Sequence, residues 1–486
     1  MTDISCPIAV HARISPDAPA IVFVGHTLSY KQLDAAIGAA VKRMQDRGVS
    51  FGSRVGILAR NDAAYVIALL ALWRMGSLSV LLNPRLPSLS VEAELSEFGC
   101  DCLLTNIPAM GTSPGIAEQK IFLHEIVRFE RTEALPESDP LFKEDQPAVI
   151  VFTSGSQGAA KAAVLSFGNL FFNALGANEH MSFGPGDRWL LSLPLFHVGG
   201  LGIVWRVFLG GGTMVIPADG GEWLPILGKE KISHLSLVPT QLFRLMRVPG
   251  CSAATLSLKA ILLGGAPIPG ALLEQAVSAG FPVYVTYGLT EMASQVATSK
   301  KLTAGRDLDR RARALPYRDM AITEAGEILV KGKTLFLGYA DGVELRSAIN
   351  TDGWFATGDL GEIDAEGGLK VKGRKDNMFL SGGENILPEE IEGYLLRYKG
   401  ILQAVVAPVL DEEFGARPVA LLTAEPGITI SRAHLMAYLE LYLPKFKIPS
   451  AFYYWPETVR TEALKVSRKE LLTLFLQGKE VFRSVD

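Results

Sequence analysis

The stretch VIVFTSGSQGAAK, residues 149 to 161, decides the fold assignment, because a β-branched run passes directly into a small, polar loop that ends in lysine. Such a loop can hold phosphate: glycines let the backbone approach an anion, hydroxyl and N–H groups donate to its oxygens, and lysine adds a positive charge. A P-loop needs glycine, four residues and then Gly-Lys-Ser/Thr, whereas Gly155, Gly158 and Lys161 follow at intervals of three. The loop is therefore not a Walker motif, and a flexible surface turn is the alternative interpretation.

Strand-like runs on both sides of this stretch alternate with helix-length segments, of which residues 30–48 are the clearest. The alternation predicts an α/β fold: a large N-terminal domain of layered, mainly parallel sheets. Ligands bind beyond the carboxyl ends of strands in such sheets. We expect motifs at Thr153, His197, Gly264 and Tyr287 to converge on one crevice, each at the end of its strand. The predicted strands are residues 54–58, 149–152, 189–193, 234–238, 260–263 and 282–286.

The pattern changes after about residue 325, where short alternating runs and glycine turns predict a β-rich subdomain. A small, mobile C-terminal α+β domain is expected to begin near Asp376. In it, Pro388 followed by acidic residues predicts a helix start. The remaining elements expected there are strands at 404–408 and 419–423 and a helix at 432–443. The predicted domains are therefore residues 1–375 and 376–486.

Composition excludes several classes of protein. The 486 residues are 48% hydrophobic and 20% charged, and a formal charge of −4 provides no broad basic field for nucleic acid. Four cysteines are too scattered for a disulfide framework or a zinc site. Arg74 and Gly76 interrupt the most apolar run, residues 63–82, which is interpreted as a buried helix followed by a strand rather than a membrane span. The N-terminus lacks signal-peptide features, so a cytoplasmic location is expected, and a homo-oligomer is left open.

Four further segments follow the first in a fixed order: LPLFH at 193–197, YGLTE at 287–291, TGD at 357–359 and GRKD at 373–376. Together the five resemble the core motifs of the adenylate-forming superfamily of acyl- and aryl-CoA synthetases, over residues 30 to 469. The resemblance implies an enzyme that joins a small-molecule carboxylic acid to coenzyme A through an acyl-adenylate, with ATP and Mg²⁺. Neither step needs a protein nucleophile, so catalysis must come from positioning and charge neutralisation.

The resemblance also implies roles for individual residues around the triphosphate. Glu291 would bind Mg²⁺ and Thr290 would donate to the α-phosphate, although a helix N-cap with an acid in its first turn is an alternative interpretation of this pair. The β- and γ-phosphates would be held by Thr153, Ser154, Gly155, Ser156, Gly158 and Lys161.

On the nucleoside side, Asp359 would accept hydrogen bonds from the ribose hydroxyls and Arg374 would donate to the same sugar. A turn aspartate is the alternative interpretation of Asp359. The residues that would line the adenine and complete the AMP site are Gly264, Gly265, Ala266, Tyr287 and Gly288.

Two residues are expected at the reacting groups. His197 would contact the acyl substrate, with a structural histidine as the alternative, and Lys465 would neutralise charge on the α-phosphate and the substrate carboxylate. Three departures from the family pattern leave a weakened enzyme or a degenerate paralogue open. They are Leu464 in place of glycine, Gln157 in place of a small hydroxyl residue, and Ala160 in place of proline.

Two segments, residues 291–298 and 381–386, resemble the o-succinylbenzoate-CoA ligases of menaquinone biosynthesis. A keto-dicarboxylate needs donors at the far end of an apolar pocket. Ser294, Gln295 and Thr298, about one turn beyond Glu291, are candidates. Arg206 is a candidate anion partner or else a paired structural arginine.

The resemblance further assigns a hinge to Asp376 and the thioester-forming step to Ser381, Gly382 and Gly383. The alternatives are another aryl- or medium-chain acyl-CoA ligase, a carrier-protein adenylation enzyme, and a non-catalytic nucleotide-binding paralogue.

Overall fold

The computed structural model describes residues 3–107, 120–128, 140–153, 161–218, 225–248, 252, 256–304, 310–425, 427–456 and 468–486. The helices in these ranges are Pro7–Ile14, Tyr30–Gln45, Ala63–Arg74, Ser88–Glu97, Leu123–Ile126, Phe167–Met181, Val198–Gly210, Ile226–Lys229, Pro239–Met246, Gly270–Ser278, Pro388–Leu395, Arg432–Glu440 and Arg468–Gln477.

Two large sheets form the N-terminal part of the molecule, and each is parallel at its centre and antiparallel toward an edge. The first has the strand order Glu344–Arg346, Gly338–Asp341, Lys161–Ser166, Pro147–Thr153, Leu78–Leu82, Arg54–Leu58, Cys102–Thr105, Lys120–Phe122. The second has the order Arg313–Ala314, Ser294–Thr298, Val283–Leu289, Ala260–Leu263, His234–Leu237, Arg188–Leu190, Thr213–Ile216, Pro19–Phe23, His26–Ser29.

The main core lies between the two sheets, where four helices are packed from both sides. Alternation along each strand assigns its side chains: Ala260 and Leu262 face this core, whereas Ile261 and Leu263 face a second core under the helices Pro239–Met246 and Gly270–Ser278. Apolar side chains on both faces are what buried parallel strands require. The central helices are Tyr30–Gln45, Ala63–Arg74, Phe167–Met181 and Val198–Gly210.

A four-stranded antiparallel sheet follows, and its last hairpin carries two of the sequence motifs. Its strands are Arg318–Ile322, Glu327–Gly332, Phe355–Ile363 and Leu369–Arg374. A short hairpin, Phe379–Ser381 with Glu384–Ile386, then leads into the C-terminal domain. That domain has its own apolar cores and a sheet of Ile401–Asp411, Gly415–Ala424, Ala451–Tyr454 and Arg483–Ser484. A further two-stranded pairing joins Asp3–Ser5 to Leu141–Lys143.

The layered α/β fold with a small C-terminal domain is confirmed, as is the buried helix and strand predicted at residues 63–82. None of the helices in the described ranges has the length and apolarity to cross a membrane. The predicted strand at 189–193 is too long, because it ends at Leu190. The strand predicted at 282–286 is too short, because it continues to Leu289.

Candidate active site

The two strands on either side of the phosphate-loop motif pair antiparallel in the first sheet. Thr153 and Lys161 are directly opposed residues on these strands, so the pairing fixes both ends of the loop. The Lys161 Nζ lies 5.2 Å from the centre of the Tyr339 ring. Ser154, Gly155, Ser156 and Gly158, together with the departures Gln157 and Ala160, lie outside the described residues.

Thr290 and Glu291 lie in a single 3₁₀ turn, Thr290–Met292, which directly follows the strand Val283–Leu289. The Tyr339 hydroxyl donates to Glu291 Oε1 at 2.6 Å, and the Phe336 amide donates to the Glu291 carbonyl at 2.8 Å. Glu291 is therefore fixed by one segment at both backbone and side chain. The N-cap alternative does not apply to Thr290, since the residue in that position is Leu289.

Asp359 is 8% exposed and opposes Arg374 directly in the hairpin of the four-stranded sheet. Arg374 Nη1 donates to Asp359 Oδ1 at 2.9 Å, and the Tyr287 hydroxyl donates to Oδ2 at 2.6 Å. Each carboxylate oxygen retains one lone pair, so the group can still accept two hydrogen bonds from a vicinal diol. Burial together with the neighbouring Asp359 carboxylate raises the pKa of Tyr287, which keeps its hydroxyl a donor.

Glycines are required where the candidate adenine segment meets its neighbours. A Cβ on Gly264 would lie 2.6 Å from Thr286 Cγ2, and Gly265 has a φ of +79°; Ala266 follows them. A Cβ on Gly288 would overlap the Ser294 carbonyl oxygen where the strand pairing shifts register. Tyr287 and Gly288 are thus within their strand, not beyond its end as predicted.

His197 does not end a strand. A loop from Leu191 separates it from Leu190, and His197 is the residue before the helix Val198–Gly210, without a side-chain cap. Its ring packs on Phe196 at 4.5 Å between centroids. Burial and the nearby Arg85 charge lower the pKa of His197, so the imidazole is neutral near pH 7. A neutral, solvent-accessible ring beside Phe196 suits contact with an acyl chain better than stabilisation of an anion.

The residues after Glu291 form a strand, Ser294–Thr298, and not the helical turn that the spacing predicted. Positive φ angles at Ala293 (57°) and Ser294 (132°) end the 3₁₀ turn and redirect the chain. Gln295 and Thr298 are buried and bond to each other, Nε2 to Oγ1 at 2.9 Å. Of the three candidates, Ser294 is the one that contacts Arg206, whose Nη2 lies 3.3 Å from its Oγ.

Arg206 is fully buried on the helix that follows His197, and within the described ranges it has no carboxylate at ion-pair distance. The described residues therefore do not provide the ion pair that the interpretation of Arg206 as a paired structural arginine requires. The Arg206 Nε has no hydrogen-bond partner there either. Burial lowers the pKa of Arg206 to about 9, because a charged guanidinium is disfavoured away from water.

A second buried arginine lies beside it. Arg318 donates to backbone carbonyls of Gln295 and Pro316, and its pKa is lowered to about 9 by burial and then by the charge of Arg206. The Ser294–Gln295 dipeptide thus touches two guanidinium groups, three residues along the chain from Glu291. Two buried guanidinium groups, neither of them in an ion pair with a carboxylate of the described residues, make this region suited to a carboxylate ligand.

The hinge candidate Asp376 lies in the 3₁₀ turn Lys375–Asn377, with its Oδ2 3.9 Å from Arg374 Nη2. Gly382 and Gly383 both have positive φ and form the two-residue turn of the short hairpin after buried Ser381. The Gly382 amide donates to the Phe414 carbonyl at 2.9 Å, so the turn is tied to the C-terminal domain. Lys465 and Leu464 lie outside the described residues.

Sequence reasoning missed Tyr339, Arg318 and Glu327. Glu327 accepts from the Gly358 amide and from Lys375 Nζ, and so supports the loop that presents Asp359. No motif surrounds Arg318 in the sequence, and its place beside Arg206 becomes apparent only from its burial in the structure. Tyr339 follows a glycine after an apolar run, and its position near a motif is visible only in the strand pairing Ala163↔Tyr339.

Among the residues described, no group of three or more His, Cys, Asp or Glu side chains is arranged so that it could hold a metal ion. Glu291 nevertheless fits Mg²⁺, which binds proteins through one or two carboxylates and takes its other ligands from phosphates and water. Its Oε1 accepts from Tyr339, and Oε2 has no hydrogen-bond partner among the described residues.

The arrangement is the one expected of an adenylate-forming enzyme: two large mixed sheets with helices, the Asp359–Arg374 pair in an antiparallel hairpin, and Glu291 held by Tyr339. Residues 8–340 match the model of the AMP-binding enzyme family, and the chain belongs to this family. It is 31% identical to the 2-succinylbenzoate–CoA ligase of Geobacillus kaustophilus, over 97% of this chain and 98% of that one. It is 34% identical to the Salmonella typhimurium enzyme of the same name, over 94% and 95%.

Solved structures show the same likeness. Bacillus subtilis o-succinylbenzoate CoA synthetase in complex with the acyl-adenylate OSB-AMP has a TM-score of 0.81 and 29% identity, over 97% of this chain and 98% of that chain. The same enzyme in complex with ATP and magnesium ion has a TM-score of 0.82 and 28% identity, over 97% and 100%.

Proposed function

We propose that this protein is an ATP-dependent acid–CoA ligase that converts 2-succinylbenzoate (o-succinylbenzoate) into its CoA thioester in menaquinone biosynthesis. The near-full-length relatives of that activity support the reaction. The observation in this chain that carries the substrate assignment is Arg206, a buried cation that contacts Ser294 and has no carboxylate partner within the described structure. A diacid retains one carboxylate after the other is activated, and that second carboxylate would pair with Arg206.

The reaction has two steps. A carboxylate oxygen of the acid attacks the α-phosphorus of ATP, and pyrophosphate leaves; the sulfur of CoA then attacks the acyl carbon, and AMP leaves. The protein binds and orients: Asp359, with Arg374 and Tyr287, would hold the ribose, and the loop from Thr153 to Lys161 the outer phosphates. His197 would line the acyl path, and Thr290 would donate to the α-phosphate. These arrangements supply proximity and charge neutralisation.

Glu291 would hold Mg²⁺ through Oε2, beside the phosphates. The ion, when bound, neutralises charge on the phosphate oxygens. The single carboxylate fits this use, because the nucleotide provides the other oxygens.

The two steps require different neighbours at the reacting carbon. Lys465 would approach the α-phosphate during adenylation, and the Ser381–Gly383 turn would replace it during thioester formation. The boundary proposed for this rotation, between residues 375 and 376, lies in the 3₁₀ turn Lys375–Asn377. Separate apolar cores on either side support two bodies that can move against each other.

ATP and CoA as co-substrates favour a cytoplasmic location. Association of identical chains stays a prediction for sedimentation to test.

One experiment tests the function: the purified protein is assayed for CoA-thioester formation with 2-succinylbenzoate, benzoates and fatty acids, alongside exchange of labelled pyrophosphate into ATP. We expect pyrophosphate exchange and thioester formation with 2-succinylbenzoate, and little or none of either with benzoates or fatty acids. Turnover of benzoates or fatty acids without 2-succinylbenzoate would show that the substrate is wrong. No exchange with any acid would favour a non-catalytic paralogue.

A further inference from the structure

We propose that Tyr339 is a positioning residue for the nucleotide's metal ion: its hydroxyl sets the orientation of Glu291, and its ring holds Lys161 beside it. The inference rests on the proposed function, since it concerns how the Mg²⁺–triphosphate complex is bound. It adds to that function a residue outside the motifs, which joins two parts of the site that come from different sheets.

The geometry of the two contacts is direct. The Tyr339 hydroxyl donates to Glu291 Oε1 at 2.6 Å, a length typical of a hydroxyl bonded to a carboxylate. The Lys161 Nζ lies 5.2 Å from the centre of the same ring, within the range of a cation–π contact. One side chain therefore touches both the last residue of the phosphate loop and the metal-type carboxylate.

The fold explains why one side chain reaches both. Tyr339 lies on the strand Gly338–Asp341, which pairs with the Lys161 strand so that Ala163 opposes Tyr339. Glu291 follows a strand of the other large sheet. Phe336, three residues before Tyr339, donates its amide to the Glu291 carbonyl, and its ring packs edge-on against Tyr339 at 4.8 Å. The segment 336–339 thus carries the contact between the two sheets at this point.

Packing alone does not require the hydroxyl. A phenylalanine would make the same ring contacts with Phe336 and Lys161, and the hydroxyl's bond within the described residues goes to Glu291. A carboxylate with one oxygen held cannot rotate freely, so its other oxygen is presented in one direction. Mg²⁺ demands near-ideal octahedral geometry and tolerates little ligand disorder.

The magnitude follows from other metal sites, in which loss of an outer hydrogen-bond partner of a ligand reduces metal affinity by about 10- to 100-fold. Tyr339→Phe should therefore weaken binding of ATP about 10-fold in the presence of Mg²⁺ and leave it unchanged in EDTA. Tyr339→Leu also removes the ring under Lys161, and it should weaken ATP binding under both conditions.

The test is calorimetric titration of ATP into the full chain without acid or CoA, with Mg²⁺ and with EDTA. Tyr287→Phe is the matched control, because Tyr287 makes the equivalent 2.6 Å bond to Asp359 on the ribose side. That control should weaken ATP and AMP binding equally with and without Mg²⁺. Circular dichroism confirms that each variant is folded.

The proposal would be overturned if Tyr339→Phe bound ATP as tightly as the unmodified protein, both with Mg²⁺ and with EDTA. Equal weakening with and without Mg²⁺ would overturn it too, because the tyrosine would then support the phosphate site as a whole. Failure of the unmodified protein to bind ATP at all would overturn the proposed function along with it. A Mg²⁺-specific loss in Tyr339→Phe alone is the expected result.

Discussion

Arg206 in the large domain is fully buried, and Arg468 in the small domain is mostly buried with 23% of its side chain exposed, but their surroundings differ. Arg468 donates to Glu392 Oε2 at 3.0 Å and to Glu389 Oε1 at 3.1 Å, and it also bonds to the Val406 carbonyl. Arg206 meets a serine hydroxyl and the face of Trp189, without a carboxylate among the described residues. The fold itself supplies the counter-ions of Arg468, whereas we propose that the substrate supplies that of Arg206.

Under the proposed function, Arg468 is a structural arginine and Arg206 a substrate-binding one. A buried ion pair that loses one partner is strongly destabilised, while a buried cation replaced by an apolar group of similar size can leave stability unchanged or raise it. The two residues should therefore respond to the same substitution in opposite ways.

The largest expected effect is on the small domain. Arg468→Met leaves buried Glu392 without its counter-ion and should lower the free energy of unfolding of that domain by about 3 to 5 kcal/mol. Denaturant melts followed by circular dichroism measure the loss. Arg432→Met is the control, since exposed Arg432 bonds through Nη2 to the Ser450 carbonyl, and it should cost under about 1 kcal/mol. Equal stability of the two variants would remove the structural assignment of Arg468.

The next effect concerns Lys465, three residues before Arg468 in the sequence. Lys465→Ala should leave the fold intact and slow adenylation by about 10²- to 10³-fold, the scale for losing one preorganised charge donor. Thioester formation from supplied acyl-adenylate should be nearly unaffected. Asp376→Pro should do the reverse, because it blocks rotation at the proposed hinge. Equal slowing of both half-reactions by Lys465→Ala would contradict domain alternation.

A smaller effect, on nucleotide affinity, is expected at Asp359, whose carboxylate is already bonded to Arg374 and Tyr287 but can still accept further hydrogen bonds. Asp359→Ala should weaken AMP binding, since each charged hydrogen bond to the ribose is worth about 1.5 to 3 kcal/mol. Asp364→Ala, which alters the turn of the same hairpin, is the control and should leave AMP affinity unchanged. Identical calorimetric affinities for the two variants would remove Asp359 from the nucleotide site.

Much of the fold was predictable from the sequence because short apolar strands mark their own limits: Arg54–Leu58 and Ala260–Leu263 have the bounds that their residues indicate. The error at His197 arose in Ser192–Pro194, where an apolar run continues after the strand pairing has ended. The error at Ser294–Thr298 has a backbone cause, since positive φ angles at Ala293 and Ser294 leave little trace in residue type.

The candidate site was predictable where motif residues act locally, as with Asp359 and Arg374, which are neighbours across one hairpin. It was not predictable where residues meet through the tertiary fold. Tyr339 reaches Glu291 across 48 positions of sequence, and Ser294 reaches Arg206 across 88. Residue spacing carries no information about such pairs, and the groups that surround Arg206 in the described structure cannot be read from the chain.

The most direct test of the central claim, that Arg206 binds the second carboxylate of the substrate, is the selectivity of Arg206→Met between 2-succinylbenzoate and a monoester that lacks the second charge. The unmodified protein should prefer the diacid in kcat/KM, and the variant should lose about 10²-fold of that preference, the cost of truncating one member of a buried charge pair. Its thermal stability should stay equal or rise. Preserved selectivity, or a loss of stability like that expected for Arg468→Met, would contradict the account.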